Sequence, residues 1–163
     1  MRRALREAMA RDGRASVDPK RSNAMSAIRA RGNRTTEWRL RGGLIRGGVR
    51  GWVLHPRTLT GRPDFWFPSS RLAVFVDGCY WHGCRVCRRD IKTNPQFWNT
   101  KIALNRFRDS QVTRSLRKDS ILVIRYWEHE LRNDLALCVK RIADLLNNSS
   151  RSKVSEVKEM SRG

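Results

Sequence analysis

Nowhere in the 163 residues is there a run of about 18 apolar residues, so no membrane-spanning helix is expected. The basic N-terminus is not followed by the apolar core of a signal peptide, which argues against secretion and for a cytosolic chain. No internal repeat is present, which excludes a solenoid or a propeller. Apolar residues make up 39%, enough for one modest core. Cysteines number only 4, too few for a disulfide scaffold. In a reducing compartment they read as metal ligands or catalytic groups before disulfides. Carboxylates are scarce too: 15 Asp and Glu face 35 Lys and Arg, for a formal net charge of +20. Folding gives no reason for such self-repulsion. A polyanion does, because each neutralised phosphate releases condensed counterions. Nucleic acid is the expected partner, ahead of a ribosomal or merely basic surface. An anionic membrane fits less well, because the basic residues do not lie opposite one continuous apolar face.

The length suits one domain with tails. Residues 1–20 are Arg-rich and nearly free of large apolar side chains, and read as a disordered basic arm. Residues 148–163 are Ser, Lys, Glu and Arg, and read as a flexible tail, which leaves 21–147 for the folded unit. Within it, Met25 and Ile28 anchor a short helix. A second helix runs from Thr35 and stops at Gly47-Gly48. Strands are expected at Trp52–Leu54, Asp64–Phe67 and Leu72–Val76, the last apolar enough to be central. A long helix over Pro95–Leu116 carries Trp98, Ile102, Asp109, Val112 and Leu116 on one side. A strand at Ile121–Trp127 follows. Leu131, Leu135, Cys138, Ile142 and Leu145 then give one amphipathic C-terminal helix. This order predicts a mixed α/β domain with helices covering a central sheet.

Cys79, Cys84 and Cys87 lie within nine residues, and Cys84-Arg85-Val86-Cys87 is a CxxC knuckle. Two thiolates so spaced can face one Zn²⁺. A structural site needs a fourth ligand, and His82, His129, His55 and Cys138 are the candidates. Cys138 sits on an apolar helix stripe and suits a buried small hydrophobe. His129 follows the core strand directly, which favours it. A redox-active CxxC is the alternative, but the third cysteine and the histidines speak for zinc.

Asp64 begins one strand after a Pro-fixed turn, and Asp77 ends the next. Paired as a hairpin, the two strands would bring both carboxylates together, a donor set suited to Mg²⁺. Bound there, Mg²⁺ would serve phosphodiester hydrolysis. Asp64 as a turn cap and Asp77 as a polar loop residue are the plainer reading. His82 is a general acid or base, or a zinc ligand. Tyr80, Trp81 and Trp98 can stack on bases or pack on the loop.

Four segments together resemble the very short patch repair endonucleases. They are Leu59–Phe65 (LTGRPDF), Val74–Cys84 (VFVDGCYWHGC), Phe97–Ile102 (FWNTKI) with Asn105 and Arg108-Asp109, and Tyr126–Glu130 (YWEHE). The resemblance spans roughly Arg21 to Leu146. It implies a restriction-endonuclease-like fold and Mg²⁺-dependent nicking 5′ of the thymine in T:G mismatches, which arise when 5-methylcytosine deaminates. It implies Asp64 as the principal metal carboxylate, His82 as the active-site histidine, and Cys79, Cys84, Cys87 and His129 as the zinc set. Glu37 matches an acid on the N-terminal helix linked to catalysis. Tyr80, Trp81 and Trp98 match aromatics that insert beside the mismatch, and Lys101, Asn105 and Arg108 match a helix facing DNA. Asp77 departs from the pattern, because the best-studied members carry His there. His129 replaces a Cys, the spacing of Cys87 differs, and Thr60 stands where Pro is common. Expected from this are double-stranded DNA as substrate, a place on the bacterial nucleoid and contact with mismatch-repair proteins, while small size and the absence of a clear dimer stripe predict a monomer. The competing readings are a restriction-type nuclease without mismatch preference, and a non-catalytic zinc module that binds DNA.

Overall fold

The computed structural model describes residues 35–87, 91 and 94–160, the last eleven of them as backbone alone. The basic arm and the short helix at Met25 and Ile28 lie outside the described residues. Helix α1 occupies residues 35–46. It stops where the amide of Val49 bonds Leu44 O and that of Gly48 bonds Ile45 O. Gly48 adopts the left-handed φ of 71° that this stop requires.

The strands are β1 (Val53–Leu54), β2 (Phe65–Phe67), β3 (Leu72–Asp77) and β4 (Leu122–Trp127). They form one mixed sheet in the order β1-β2-β3-β4, with β1-β2 and β2-β3 antiparallel and β3-β4 parallel. A one-turn 3₁₀ segment, Pro68–Ser70, makes the β2-β3 corner. The parallel step from β3 to β4 needs a crossover, supplied by helix α2 (Pro95–Lys118). Asn94 caps α2 by accepting from Phe97 N–H, and Pro95 takes the first turn, where no amide is needed.

Alternation along β3 separates two cores. Leu72, Val74 and Val76 pack with Leu40 and Leu44 of α1 and with Cys138, Val139 and Ile142 near the C-terminus. Ala73 and Phe75 pack on the other face with Leu116 of α2 and Ile121. Every residue of β3 is buried, as expected of a central strand. This is a mixed α/β fold with helices on both faces of the sheet, an arrangement that suits an endonuclease-like domain.

Two expectations change. The C-terminal amphipathic pattern is two helices, α3 (Glu128–Asn133) and α4 (Leu135–Met160). Asp134 interrupts them, and its carboxylate caps α4 by accepting from Leu137 N–H at 2.9 Å. Helix α4 also continues past residue 147, where a loose tail was expected. Lys, Glu and Arg are good helix formers, so polarity alone did not mark an end. Cys138 is buried in the core, and its carbonyl accepts from the Tyr126 hydroxyl at 3.0 Å.

Candidate active site

The parallel register sets Asp77 beside Trp127, so the chain leaving β3 and the start of α3 emerge together. Cys79 thereby meets His129, with Sγ to Nδ1 at 3.3 Å, and Cys84 Sγ lies 3.5 Å from the same nitrogen. Ligand atoms of Cys79, Cys84, Cys87 and His129 all fall within 4.8 Å of one another. A tetrahedral zinc with Zn–S of about 2.3 Å and Zn–N of about 2.0 Å would separate S and N by roughly 3.5 Å. The donor set therefore fits zinc in type and spacing. Burial pushes the Cys79 thiol up to about 12, and the neighbouring Cys87 and Cys84 add to the rise. Such thiols ionise together only around a cation. His82 is not in this group.

Glu37 from α1, His55 after β1 and Asp64 before β2 form a second group. His55 Nε2 lies 3.2 Å from Glu37 Oε2, and its Nδ1 lies 3.7 Å from Asp64 Oδ1. His55 holds a left-handed φ of 45°, strained for a residue with a side chain, and its amide meets Asp64 O at 3.4 Å. Asp64 Oδ2 accepts from Val76 N–H at 2.6 Å. Burial raises Asp64 to about 7, against the pull of that hydrogen bond and with help from Glu37. A buried carboxylate beside a second one and short of positive charge fits a hard divalent cation.

The third group is Asp77, His82 and Asp109. His82 Nδ1 lies 2.5 Å from Asp109 Oδ2 and 3.8 Å from Asp77 Oδ1. Burial pulls the imidazole down, but the Asp109 hydrogen bond and the charge of Asp77 outweigh it, so the His82 pKa is raised. Arg125 binds Asp77 with two hydrogen bonds, Nε to Oδ2 at 2.7 Å and Nη2 to Oδ1 at 2.6 Å.

The hairpin expected of the two acidic strands is present, with Phe65 opposite Val74. Among the described residues, however, no group of three or more possible metal ligands contains both carboxylates. Asp64 groups with Glu37 and His55, whereas Asp77 groups with His82 and Asp109. The reason lies in β4. Arg125 stands opposite Phe75, diagonal to Asp77 on one sheet face, and takes that carboxylate for itself.

Tyr80, Trp81 and Trp98 form one edge-on cluster, with ring centroids 5.0 to 5.8 Å apart. Tyr80 is 40% exposed, so the cluster reaches the surface beside the thiolates. Asn105 donates to Trp81 O at 2.8 Å, so this side chain braces the aromatic loop. Lys101 lies over the Phe97 ring, with Nζ 5.6 Å from the centroid, and Arg108 is exposed. Gly83 lets the loop lie on α2, because a Cβ there would stand 2.5 Å from Ile102.

The family model for the DNA mismatch endonuclease Vsr matches residues 16–89. The chain is 39% identical over 98 residues to the type II nicking enzyme V.XorIIP of Xanthomonas oryzae pv. oryzae, covering 59% of this chain and 71% of that relative. It is 33% identical over 114 residues to the DNA mismatch endonuclease Vsr of Escherichia coli, covering 69% of this chain and 71% of the relative. With the type II nicking enzyme V.NaeI of Lentzea aerocolonigenes it shares 40% over 78 residues, 48% of this chain and 47% of that one. The chain belongs to the Vsr family of DNA endonucleases.

The Vsr match ends at residue 89, so it takes in Glu37, Asp64, Asp77, His82 and the three cysteines. Asp109, Arg125 and His129 lie beyond it and join the site from α2, β4 and α3 in turn. Two residues of the site, Asp109 and Arg125, were not assigned a role from sequence, and a third, His55, was weighed only as a fourth zinc ligand. The first two did leave a signal. Asp109 is the one charge on the apolar stripe of α2, and Arg125 interrupts an otherwise apolar strand. Charges placed there require partners. His55 was read toward the cysteines, since only the fold brings it to Glu37 and Asp64. Among the described residues no helix is long and apolar enough to cross a membrane.

Proposed function

We propose that this Vsr-family chain nicks DNA on the 5′ side of the thymine in a T:G mismatch. One observation carries the reading: a two-carboxylate group around Asp64 and a His82–Asp109 pair stand at the open end of the β2-β3 hairpin, next to an exposed aromatic cluster. Asp64 and Glu37, with His55 beside them, are the residues that would hold Mg²⁺. The ion would polarise the scissile phosphate and lower the pKa of a water. His82 handles the proton. Its Nδ1 is committed to Asp109, which leaves Nε2 to face the reacting groups. Asp109 fixes the ring and favours the imidazolium, as the raised His82 pKa requires. Cys79, Cys84, Cys87 and His129 would hold Zn²⁺ as a brace, since His82 lies between two of these cysteines.

Tyr80, Trp81 and Trp98 would enter the duplex at the weakened pair, where unstacking costs least. Lys101 and Arg108 would contact phosphates, and Asn105 would act through the Trp81 loop. The Arg-rich residues 1–20 would add further phosphate contacts outside the catalytic unit, taken as 21–147. The chain would act as a monomer on nucleoid DNA and hand its nick to repair proteins.

A second reading is a nicking enzyme without mismatch preference, favoured by relatives named type II nicking enzymes. A test compares the chain and its Asp64→Ala variant, with Mg²⁺, on a duplex with one T:G pair and on its matched twin. Nicking of the mismatched duplex alone, lost in the variant, is the expected result. Equal cleavage of both duplexes would give the second reading instead.

A further inference from the structure

Arg125 is central to the site, yet it lies outside the segment that the Vsr family model matches. Its guanidinium holds Asp77 through two hydrogen bonds, and Nη2 also reaches Asp109 Oδ1 at 3.0 Å. The other oxygen of Asp109 is on His82. One cation thus joins the two carboxylates that flank the imidazole. The guanidinium carbon lies 4.6 Å from the centroid of the Phe75 ring, which fixes the plane of the group from below. Nη1 is buried and has no hydrogen-bond partner. Leaving a buried N–H of a charged group unpaired costs stability, and a buried ion pair seldom outdoes an apolar replacement. Retaining this arginine is therefore better explained by what it orients than by what it stabilises.

We infer that Arg125 is the positioning residue of the His82–Asp109 pair, and that by occupying both oxygens of Asp77 it removes that carboxylate from metal binding. The inference rests on the nicking function proposed above. It assigns Asp77 a role as anchor for the arginine. Magnesium is left to the Asp64 group. Asp109 then has one oxygen on a fixed cation and one on His82, so the ring cannot turn without breaking a charge-assisted bond. Raised affinity of Arg125 for its proton, from the Asp77 hydrogen bonds against the opposing effect of burial, agrees with this geometry.

The test uses the full zinc-loaded chain and has two readouts. Binding of Mn²⁺ without DNA is measured for the parent chain, Asp64→Asn and Asp77→Asn. Asp64→Asn should weaken it by at least about tenfold, and Asp77→Asn should leave it within about twofold. Equal weakening by both would overturn the assignment of Asp77. Single-turnover nicking is then compared for Arg125→Met, Arg125→Lys and the double variant Asp77→Asn with Arg125→Met. Arg125→Met should slow the chemical step by about 100-fold while the duplex Kd stays within about threefold. Arg125→Lys should recover part of the rate. The double variant removes the buried, uncompensated charge that Arg125→Met alone would leave on Asp77, so it is the variant expected to fold where the single one does not. It should remain slow, because Asp109 has still lost its anchor. A double variant as fast as the parent would show that Arg125 only neutralises Asp77, and a loss in Kd equal to the loss in rate would make it a DNA contact. Either result overturns the inference. If the parent chain nicks no duplex, the function proposed above fails, while the Mn²⁺ comparison still decides whether Asp77 is free for metal.

Discussion

Asp64 carries two opposed demands. Burial favours its neutral form, while the metal binding proposed for it would require the carboxylate. In the unfolded chain it loses its proton near 3.8, and in the folded chain near 7. Between those values the folded state holds the extra proton. Stability associated with Asp64 is therefore full at low pH and declines as pH rises through 7, by up to about 1.4 kcal/mol per pH unit for one proton. Without added divalent ion, the Tm of the parent chain should fall more steeply than that of Asp64→Asn between pH 4.5 and 7, and Mg²⁺ added at pH 7 should restore it. Parallel slopes for the two proteins would remove Asp64 as the source. Gly83 offers a second residue-scale prediction. With φ of 68° and Ile102 2.5 Å from any added Cβ, Gly83→Ala meets backbone strain and a clash together. A loss of about 1–3 kcal/mol in urea unfolding is expected, with nicking reduced because the loop also carries His82. These residues were legible in sequence to different degrees. Asp64 stood out by its place after a proline turn. The separation of Asp64 from Asp77 did not, because it depends on Arg125, 48 residues away in the chain.

At the scale of elements, strand order followed from short apolar runs and turn residues, and β3 was recognised as central because it has no polar face. The break at Asp134 was hidden. Leu131, Leu135 and Cys138 keep helical spacing straight across it, and periodicity does not report a cap. Helix α2 shows what a single element can combine. Its apolar stripe covers Ala73 and Phe75, and Asp109 on that stripe serves His82. Its last turns present Arg114, Arg117 and Lys118 around a cavity of about 610 Å³ that Asp109, Ser110, Thr113 and Arg125 also line. Among the described residues no ion pair engages those three cations. Cations left unpaired beside the site suit the phosphates that flank a scissile bond. Each such contact adds about 0.9 to the slope of log affinity against log salt on duplex DNA. Arg114→Ala with Arg117→Ala should lower that slope by nearly two and weaken matched and mismatched duplexes alike. An unchanged slope would place the DNA elsewhere.

For the molecule as a whole, the two cores and the cysteine cluster are separate structures. Neither core includes Cys79, Cys84 or Cys87; the sheet is held by Leu40, Leu44, Phe65, Val74 and Ile142 on one face and by Leu116 and Ile121 on the other. The proposed zinc site joins the loop after β3 to the start of α3 and sets no strand register. Removing the metal should therefore not act as it does in small zinc domains, where the fold itself is lost. After chelation, or in Cys87→Ser, the far-UV circular dichroism of the sheet and of α4 should persist, while amide exchange rises in residues 78–87. Nicking should fall by at least about 100-fold, because a shift of about 1 Å at His82 is enough to do so. His129→Ala should show the same pattern together with lost zinc, and full zinc retention there would remove His129 from the ligand set. Global unfolding on chelation would mean that the cluster supports the sheet as well. The expected local effect would instead make the proposed metal a device for holding His82 against Asp109, with a chain of +20 net charge relying on its apolar cores, not on ions, to stay folded.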